Sequence, residues 1–427
     1  LKNSRQKHSR RKFLKKNLLG SFLLSTFGSF FPLSDLFGLS RQSLNVTDIK
    51  AENAQNDFIL PADKLYFNTS SLGPSLRIVM ENVYDNWKHL EENVYNGYQL
   101  AKKSKEIIAS FFKIDAKDIC ITRNTTEGIN MAAKSIALSA GDEVIISTHE
   151  HVGGASPWLL LEKEKGIVVK LLDMDLTASN NLQRLKDLIT PKTKAVSISH
   201  VTCTTGMELP VQDMVQFCRE KGIYSVIDGA QAVGVVNVDL SAIRPDFYAC
   251  AAHKWLFGPK GIGLLYINPD IMQDLHPLYV GAYSDENYNL NQKELKLKQT
   301  ADRNDYGTRN VSLLLGFKSA VEWIEQKGLE SIREECFASK NYFLSKIDKN
   351  KIEILSPDNE FETSILTIKI NSKSNESIVR ELDSKYKIRC RYIYENELDA
   401  IRISFAIFNS KKQIDMLVDA MNELTRN

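Results

Sequence analysis

Cysteine is scarce and unpaired in this chain: six in 427 residues (Cys120, Cys203, Cys218, Cys250, Cys336 and Cys390), with no CxxC and no metal-ligand spacing. That argues against a zinc site and a dense disulfide framework, and no metal is expected. Cys120 and Cys250 sit in apolar runs, where a thiol behaves as a small buried hydrophobe. A basic stripe is also missing. Residues 1–40 hold eight Lys/Arg against Asp35 alone, a local charge of +7 within a total of +2, so the rest of the chain sums to −5. Binding to a phosphate backbone needs clustered Lys and Arg, and nucleic acid is not an expected partner. No internal repeat or low-complexity linker is present. With 43% hydrophobic and 25% charged residues, the composition fits neither a disordered chain nor a multi-span membrane protein. What is left is a globular enzyme long enough for two domains.

The basic charge belongs to the amino terminus. Residues 9–15 read SRRKFLK and precede a moderately apolar stretch, 18–33, broken by Gly, Ser, Thr and Pro. A cationic end followed by a short apolar helix is the physical pattern of an export signal. With Arg10 and Arg11 it resembles a twin-arginine signal, which implies the twin-arginine translocase as a partner and a periplasmic address. A basic amphipathic tail is the alternative. No clean A-x-A site follows, and the Ala/Asn-rich residues 51–54 offer a place for processing.

Beyond residue 60, β-rich runs alternate with helical ones: EVIIST (143–148), IVVKLL (167–172), KAVSIS (194–199), IYSVID (223–228), DFYACA (246–251) and IGLLYI (262–267). This alternation predicts an α/β sheet, mostly parallel, with amphipathic helices such as 182–189 and 211–221 between strands. Residues 284–305, polar and Asn-rich, read as a surface loop. After Thr308 a long helical run to about 349, strands near 365–370 and 400–404 and a closing helix near 411–424 predict a smaller α+β domain. The expected organisation is a signal and linker at 1–50, a large domain at 51–310 that includes the amino-terminal segment, and a small domain at 311–427.

Five segments and one arginine carry candidate chemistry. RNTTEGIN (123–130) places the hydroxyls of Thr125 and Thr126 at a helix start, a seat for a phosphate dianion; alone it is also an ordinary N-cap with Glu127 in the first turn. In THEHVGGASPW (148–158), just after a strand, His151 is placed to stack on an aromatic ligand, although a lone His is commonly a satisfied polar residue. VIDGAQAVG (226–234) puts Asp228 at the end of an apolar strand, where a carboxylate is costly unless paired; a pyridinium N–H would pair it, with Gln231 donating to a phenolic oxygen, and a metal-binding Asp is the alternative, though no second carboxylate or His sits nearby in sequence. In AAHKWLFGPKGIGLLY (251–266), Lys254 follows an apolar strand and precedes a glycine-rich turn, a confined amine able to form an imine. YGTRN (306–310) closes the polar loop. Arg402, in AIRISFAIFN, presents a planar fork to a substrate carboxylate, with a structural salt bridge as the alternative.

These blocks, in this order and spacing over residues 60–425, resemble the class V aminotransferase family of fold-type I pyridoxal-phosphate enzymes. The resemblance implies pyridoxal 5'-phosphate as cofactor, Lys254 as the Schiff-base lysine, Asp228 on the pyridine nitrogen, Gln231 on the ring hydroxyl and His151 stacked on the ring. Thr125, Thr126 and His253 match phosphate-binding positions. Thr308 matches a threonine that reaches the cofactor of a neighbouring subunit, which implies a homodimer with shared sites. Arg402 matches the arginine for the substrate α-carboxylate, and Arg391 resembles another family arginine near the substrate. YFNTSSLGPS (66–75), with Asn68, is similar to a pocket-lining loop of the isopenicillin N epimerase-like branch.

The chain also departs from the family pattern. Ala251 replaces a serine that contacts phosphate, and Cys203 stands where many relatives have an asparagine near the ring oxygen. The late loop with a reactive cysteine that marks the desulfurase branch is missing: KIRCRYIYENELDAIRIS runs straight on, which disfavours persulfide transfer. The expectation is therefore an enzyme acting at Cα of an amino acid or amino-acid residue in the periplasm, of aminotransferase or epimerase type, with transferase, isomerase and lyase outcomes all open. Alternatives are a tailoring enzyme of an exported peptide siderophore, a C–S lyase, and an exported binding protein that kept the fold without the chemistry.

Overall fold

The β-rich runs of the sequence form the central sheet of a large α/β layer, followed in the chain by a smaller second layer, in the computed structural model, which describes residues 51–426. The export segment, with Arg10 and Arg11, lies outside the described residues. In chain order the large layer contains α1 (Arg77–Glu92), α2 (Tyr98–Phe111), β1 (Ile119–Thr122), α3 (Thr125–Ser135), β2 (Glu143–Ser147), α4 (Val152–Lys165), β3 (Val168–Leu172), α5 (Asn181–Leu188), β4 (Thr193–Ser199), α6 (Val211–Glu220), β5 (Tyr224–Asp228), β6 (Phe247–Ala251) and β7 (Gly263–Ile267). The seven strands lie in the order β1-β7-β6-β5-β4-β2-β3. All neighbours are parallel except β7, which runs antiparallel to β6 and β1. Alternate residues feed opposite faces: Val144, Ile146, Val226 and Leu265 enter one core, Ile145, Ile198, Ile227 and Leu264 the other. Burial on both faces is why these strands read as unbroken apolar runs.

One expectation fails after β7. Residues 284–305 are not simply a loop: Asp285–Asn289 pairs antiparallel with Glu294–Leu297. This hairpin is largely exposed, so it carries no apolar period for a sequence reading to detect. The helical run expected after Thr308 to about 349 consists of two helices, α7 (Val311–Lys327) and α8 (Leu329–Leu344), divided at Gly328. Its φ of 85° is a conformation open to a residue without Cβ.

The second layer contains β8 (Ile352–Ile354), β9 (Ile365–Ile370), α9 (Asn375–Ser384), β10 (Arg391–Ile393), β11 (Ala400–Ser404) and α10 (Lys411–Leu424), with an antiparallel sheet ordered β8-β9-β11-β10. Ser410 and Gln413 form a capping box that starts α10. The amino-terminal segment, assigned from sequence to the large domain, hydrogen-bonds to both layers. Leu65–Tyr66 pairs in parallel with Ile388–Arg389, and the Ser404 N–H donates to the Phe67 carbonyl at 2.9 Å. A two-residue pairing has no sequence signature. Its consequence is positional: the chain then crosses the carboxyl ends of the large sheet, where the Gly73 N–H donates to the His253 carbonyl at 2.7 Å. A Cβ at Gly73 would lie 2.1 Å from the Lys254 carbonyl oxygen, so this crossing needs glycine.

Candidate active site

Parallel strands β2, β4 and β5 end side by side at Ser147, Ser199 and Asp228, the edge where open α/β sheets hold ligands. Over that edge lies a pocket of about 310 Å³, whose lining includes Thr125, His151, Asp228, Lys254, Arg391 and Arg402. Residues separated by hundreds of positions are thus brought together: Lys254 and His253 from the β6–β7 connection, Arg391 and Arg402 from the second layer. Asp228 is only 8% exposed, and its Oδ1 accepts the Ala230 N–H at 2.8 Å. Burial raises its pKa, and the Lys254 amine opposes that rise. Burial in turn lowers the pKa of Lys254, with Asp228 opposing. The amine is therefore easier to deprotonate than a surface lysine, as a nucleophile and proton carrier must be.

At the other end of the pocket α3 begins. Asn124 caps it by accepting the Glu127 N–H at 2.9 Å, while Glu127 accepts the Arg123 N–H at 2.6 Å. The cap reading and the phosphate-seat reading of this segment are compatible, because the cap leaves other first-turn groups to a ligand. Thr125 Oγ1 and His253 Nδ1 are buried without any hydrogen-bond partner. Buried polar atoms are normally paired, so two orphans at one end of a pocket mark the place of an oxygen-rich group. Thr126 lies beside Gly153, where a Cβ would come within 2.3 Å of its Oγ1.

His151 lines the pocket and also caps α4: its Nδ1 accepts the Gly153 N–H at 3.0 Å, which leaves Nε2 as the protonated nitrogen of the neutral ring. Burial and the Lys254 charge pull its pKa down to about 4, so at neutral pH it is an uncharged flat surface. Gln231 is more constrained than the sequence suggested. Its Oε1 accepts the Trp255 indole N–H at 2.9 Å and its Nε2 donates to the Ser70 carbonyl at 2.7 Å, which leaves one amide proton for a phenolic oxygen.

Arg402, fully buried, is not the ion-pair residue that a salt-bridge reading implies. Its guanidinium donates to the Cys203 carbonyl, to Ser71 Oγ at 2.7 Å and to Asn68 Oδ1 at 3.4 Å. Asn68 therefore acts by holding Arg402. Burial, helped by Arg391, brings the Arg402 pKa down to about 10, which still leaves it charged at neutral pH. Arg391 faces Arg402 across the β10–β11 register and pairs with Glu395. All six cysteines are buried. Cys203 lines the pocket, but burial pushes its thiol up to about 11, so it is not a thiolate near neutrality. Sequence reasoning missed Ser71, Trp255 and, above all, Glu150, a buried carboxyl group one residue before His151. An acid between two histidines at a strand end was the available signal.

A model of the aminotransferase class V family matches residues 76–417. The chain belongs to that family. Among curated relatives of this class V enzyme, a probable cysteine desulfurase of Pyrococcus abyssi is 24% identical over 396 residues, covering 88% of this chain and 98% of that protein. A cysteine desulfurase of Escherichia coli is 29% identical over 324 residues, covering 73% and 79%. Among solved structures, the apo cysteine desulfurase of Thermococcus onnurineus superimposes with a TM-score of 0.81 at 22% identity, over 89% of this chain and 99% of that one. The cystine C–S lyase C-DES, solved with its product cysteine persulfide, does so with a TM-score of 0.77 at 24% identity, over 84% and 97%. These likenesses establish the fold-type I architecture.

The cofactor of this class V enzyme is pyridoxal 5'-phosphate, and the residues present fit it. The orphan donors at Thr125 and His253 suit its phosphate, His151 and Asp228 its ring, and Lys254 its aldehyde. Ala251 offers no hydroxyl to the phosphate, and is buried. Thr308 does not line this pocket. It lines a separate cleft of about 510 Å³ with Arg123, Tyr279 and Tyr306.

Proposed function

We propose that this enzyme cleaves the Cβ–S bond of a free cysteine-like amino acid and releases the sulfur without passing it through a cysteine of its own. The observation that carries this reading is the burial of all six cysteines, of which Cys203 alone lines the pocket that holds Lys254, Asp228 and Arg402. The named relatives, cysteine desulfurases and a cystine C–S lyase, support sulfur chemistry.

Arg402 seats the α-carboxylate, its guanidinium held in place by Ser71 and Asn68. When bound, the cofactor supplies the electron sink, its pyridine nitrogen paired with Asp228. Lys254, the residue that would hold the cofactor's aldehyde, takes the α-proton on its Nζ. A conjugate RS–CH₂–CH(NH₃⁺)–CO₂⁻ and one water then give RSH, ammonium and pyruvate. Transamination or epimerisation, as in the isopenicillin N epimerase-like branch, would use the same residues. The test is to incubate the holoenzyme with L-cystine, L-cysteine and S-methyl-L-cysteine. Equimolar pyruvate and ammonium, unaffected by prior treatment with iodoacetamide, support lysis. A pyridoxamine form with keto acid, or a D-isomer, would replace lysis with one of the other two outcomes.

The same reading places the enzyme in the periplasm, on the strength of the SRRKFLK segment, and as a homodimer, on the match of Thr308 to a position that serves a neighbouring site. Changing Arg10 and Arg11 to Lys should hold the protein in the cytoplasm; unchanged periplasmic recovery would remove the export reading. Mixing Lys254→Ala with Thr308→Ala protein should restore activity through hybrid dimers. No restoration would mean that the sites are not shared.

A further inference from the structure

Glu150 is an enclosed carboxyl group held by three donors and by no cation among the described residues. Its Oε1 accepts the Ser147 hydroxyl at 2.5 Å and the Ser199 N–H at 3.0 Å, and its Oε2 accepts the Ser199 hydroxyl at 2.7 Å. β4 and β5 are in register at Ser199 and Asp228, so the residue that grips Glu150 is the strand neighbour of Asp228. The two side chains also converge on one point. A Cβ added at Gly154 would lie 3.4 Å from Asp228 Oδ2 and 3.5 Å from Glu150 Oε2. Glycine at 154 thus leaves no side chain between the two carboxyl groups, in a region where little water screens them.

We infer that Glu150 is a positioning residue that gains and loses a proton behind Asp228, and so sets how firmly Asp228 holds the proton on the cofactor's pyridine nitrogen. An ionised Glu150 adds a second negative charge behind that contact and strengthens it; a protonated Glu150 weakens it. Burial pushes the Glu150 pKa up to about 7, the Ser147 and Ser199 donors oppose the rise, and Asp228 adds to it. The change of charge therefore falls near neutral pH. The other titratable groups around this carboxyl are accounted for. On its own loop, His149 turns its Nδ1 to Thr204 and His151 turns its Nδ1 to the Gly153 N–H, and both lie at about 4. From β5, Asp228 faces it directly. Lys254, from the β6–β7 connection, lies with Asp228 in the pocket. His200, next to Ser199, points away to Tyr248.

Gln is the informative replacement, because it can accept from Ser199 N–H and Ser147 and donate to the Ser199 hydroxyl while carrying no charge. The readout is the visible absorbance of the bound cofactor between pH 5.5 and 8.5. Wild-type holoprotein should show a transition near pH 7 that is missing in Glu150→Gln. Ser199→Ala, which removes one donor to the ionised form, should move the transition up by about one pH unit. A wild-type band that does not change across this range, or a transition that survives in Glu150→Gln, overturns the proposal. If Glu150→Gln does not fold, Ser199→Ala decides alone, and an unmoved transition overturns it. A wild-type protein with no visible band would instead count against the cofactor itself.

Discussion

Lys254 owes its chemistry to where its amine is kept. In a chain with 55 Lys and Arg, its residue type distinguishes nothing; burial beside Asp228 does. Lys254→Ala should abolish the visible absorbance of the holoprotein and lower turnover by at least about a thousandfold, since covalent attachment and proton transfer are both lost. A retained visible band would contradict its role. At Arg402 the expected loss is one of binding. Replacing it with Gln removes charge-assisted hydrogen bonds to a carboxylate, so KM should rise about tenfold to a hundredfold with a smaller change in kcat. Steady-state kinetics across substrate concentrations separates the two parameters. Glu395 sets the limit on Arg391: already paired, that guanidinium has fewer free donors for a substrate than Arg402.

At the scale of elements, the turn 202–206 connects the two layers. Hydroxyls from the second layer hold its carbonyls: Thr367 Oγ1 donates to Thr204 at 2.6 Å, Ser356 Oγ to Thr205 and Thr363 Oγ1 to Gly206 at 2.6 Å. The same turn presents the Cys203 carbonyl to Arg402. These three donors therefore help set where the Arg402 guanidinium sits relative to Lys254. Thr367→Val, close in shape but without the donor, leaves a buried carbonyl short of a partner and should cost about 1–3 kcal/mol in stability. Denaturant unfolding measures that loss. The holoprotein should also show a raised KM, and an unchanged KM would mean that the turn does not steer Arg402.

For the whole molecule, acid should be destabilising well above the usual carboxylate range. His149, His151, His200 and His253 are all lowered from 6.5 to about 4, chiefly by burial. Between those values the unfolded chain binds more protons than the folded one, so stability falls as pH drops through 6.5 towards 4. Glu150, raised from 4.5 to about 7, acts in the opposite sense across the same window, because its folded form takes up the proton first. Burial also raises Asp228, Asp246 and Glu208, which act with Glu150; against these stand four histidines whose ordinary value lies inside the window. The net loss from pH 7 to 5.5 should be about 1–3 kcal/mol, a drop of several degrees in Tm measured by calorimetry on the holoprotein. A Tm that holds steady or rises over that range would show that the histidines do not carry the balance.

Much of the fold was legible because buried parallel strands must be apolar along their whole length, and the six β-rich runs fall on strands to within a residue or so at each end. The meeting of Asp228, Lys254, Thr125 and His151 in one pocket was legible for a related reason: strand ends and helix starts place them by local geometry, which short sequence blocks record. The exposed hairpin at 285–297, the break at Gly328 and the pairing of residues 65–66 with 388–389 were hidden, since none depends on an apolar period. Only the tertiary structure decided which side chains compete for one another. It tied Gln231 to Trp255 and Ser70, put Asn68 behind Arg402, and brought Glu150 against Asp228. Such contacts join residues far apart in the chain, and their energies depend on distances and burial that no local pattern specifies.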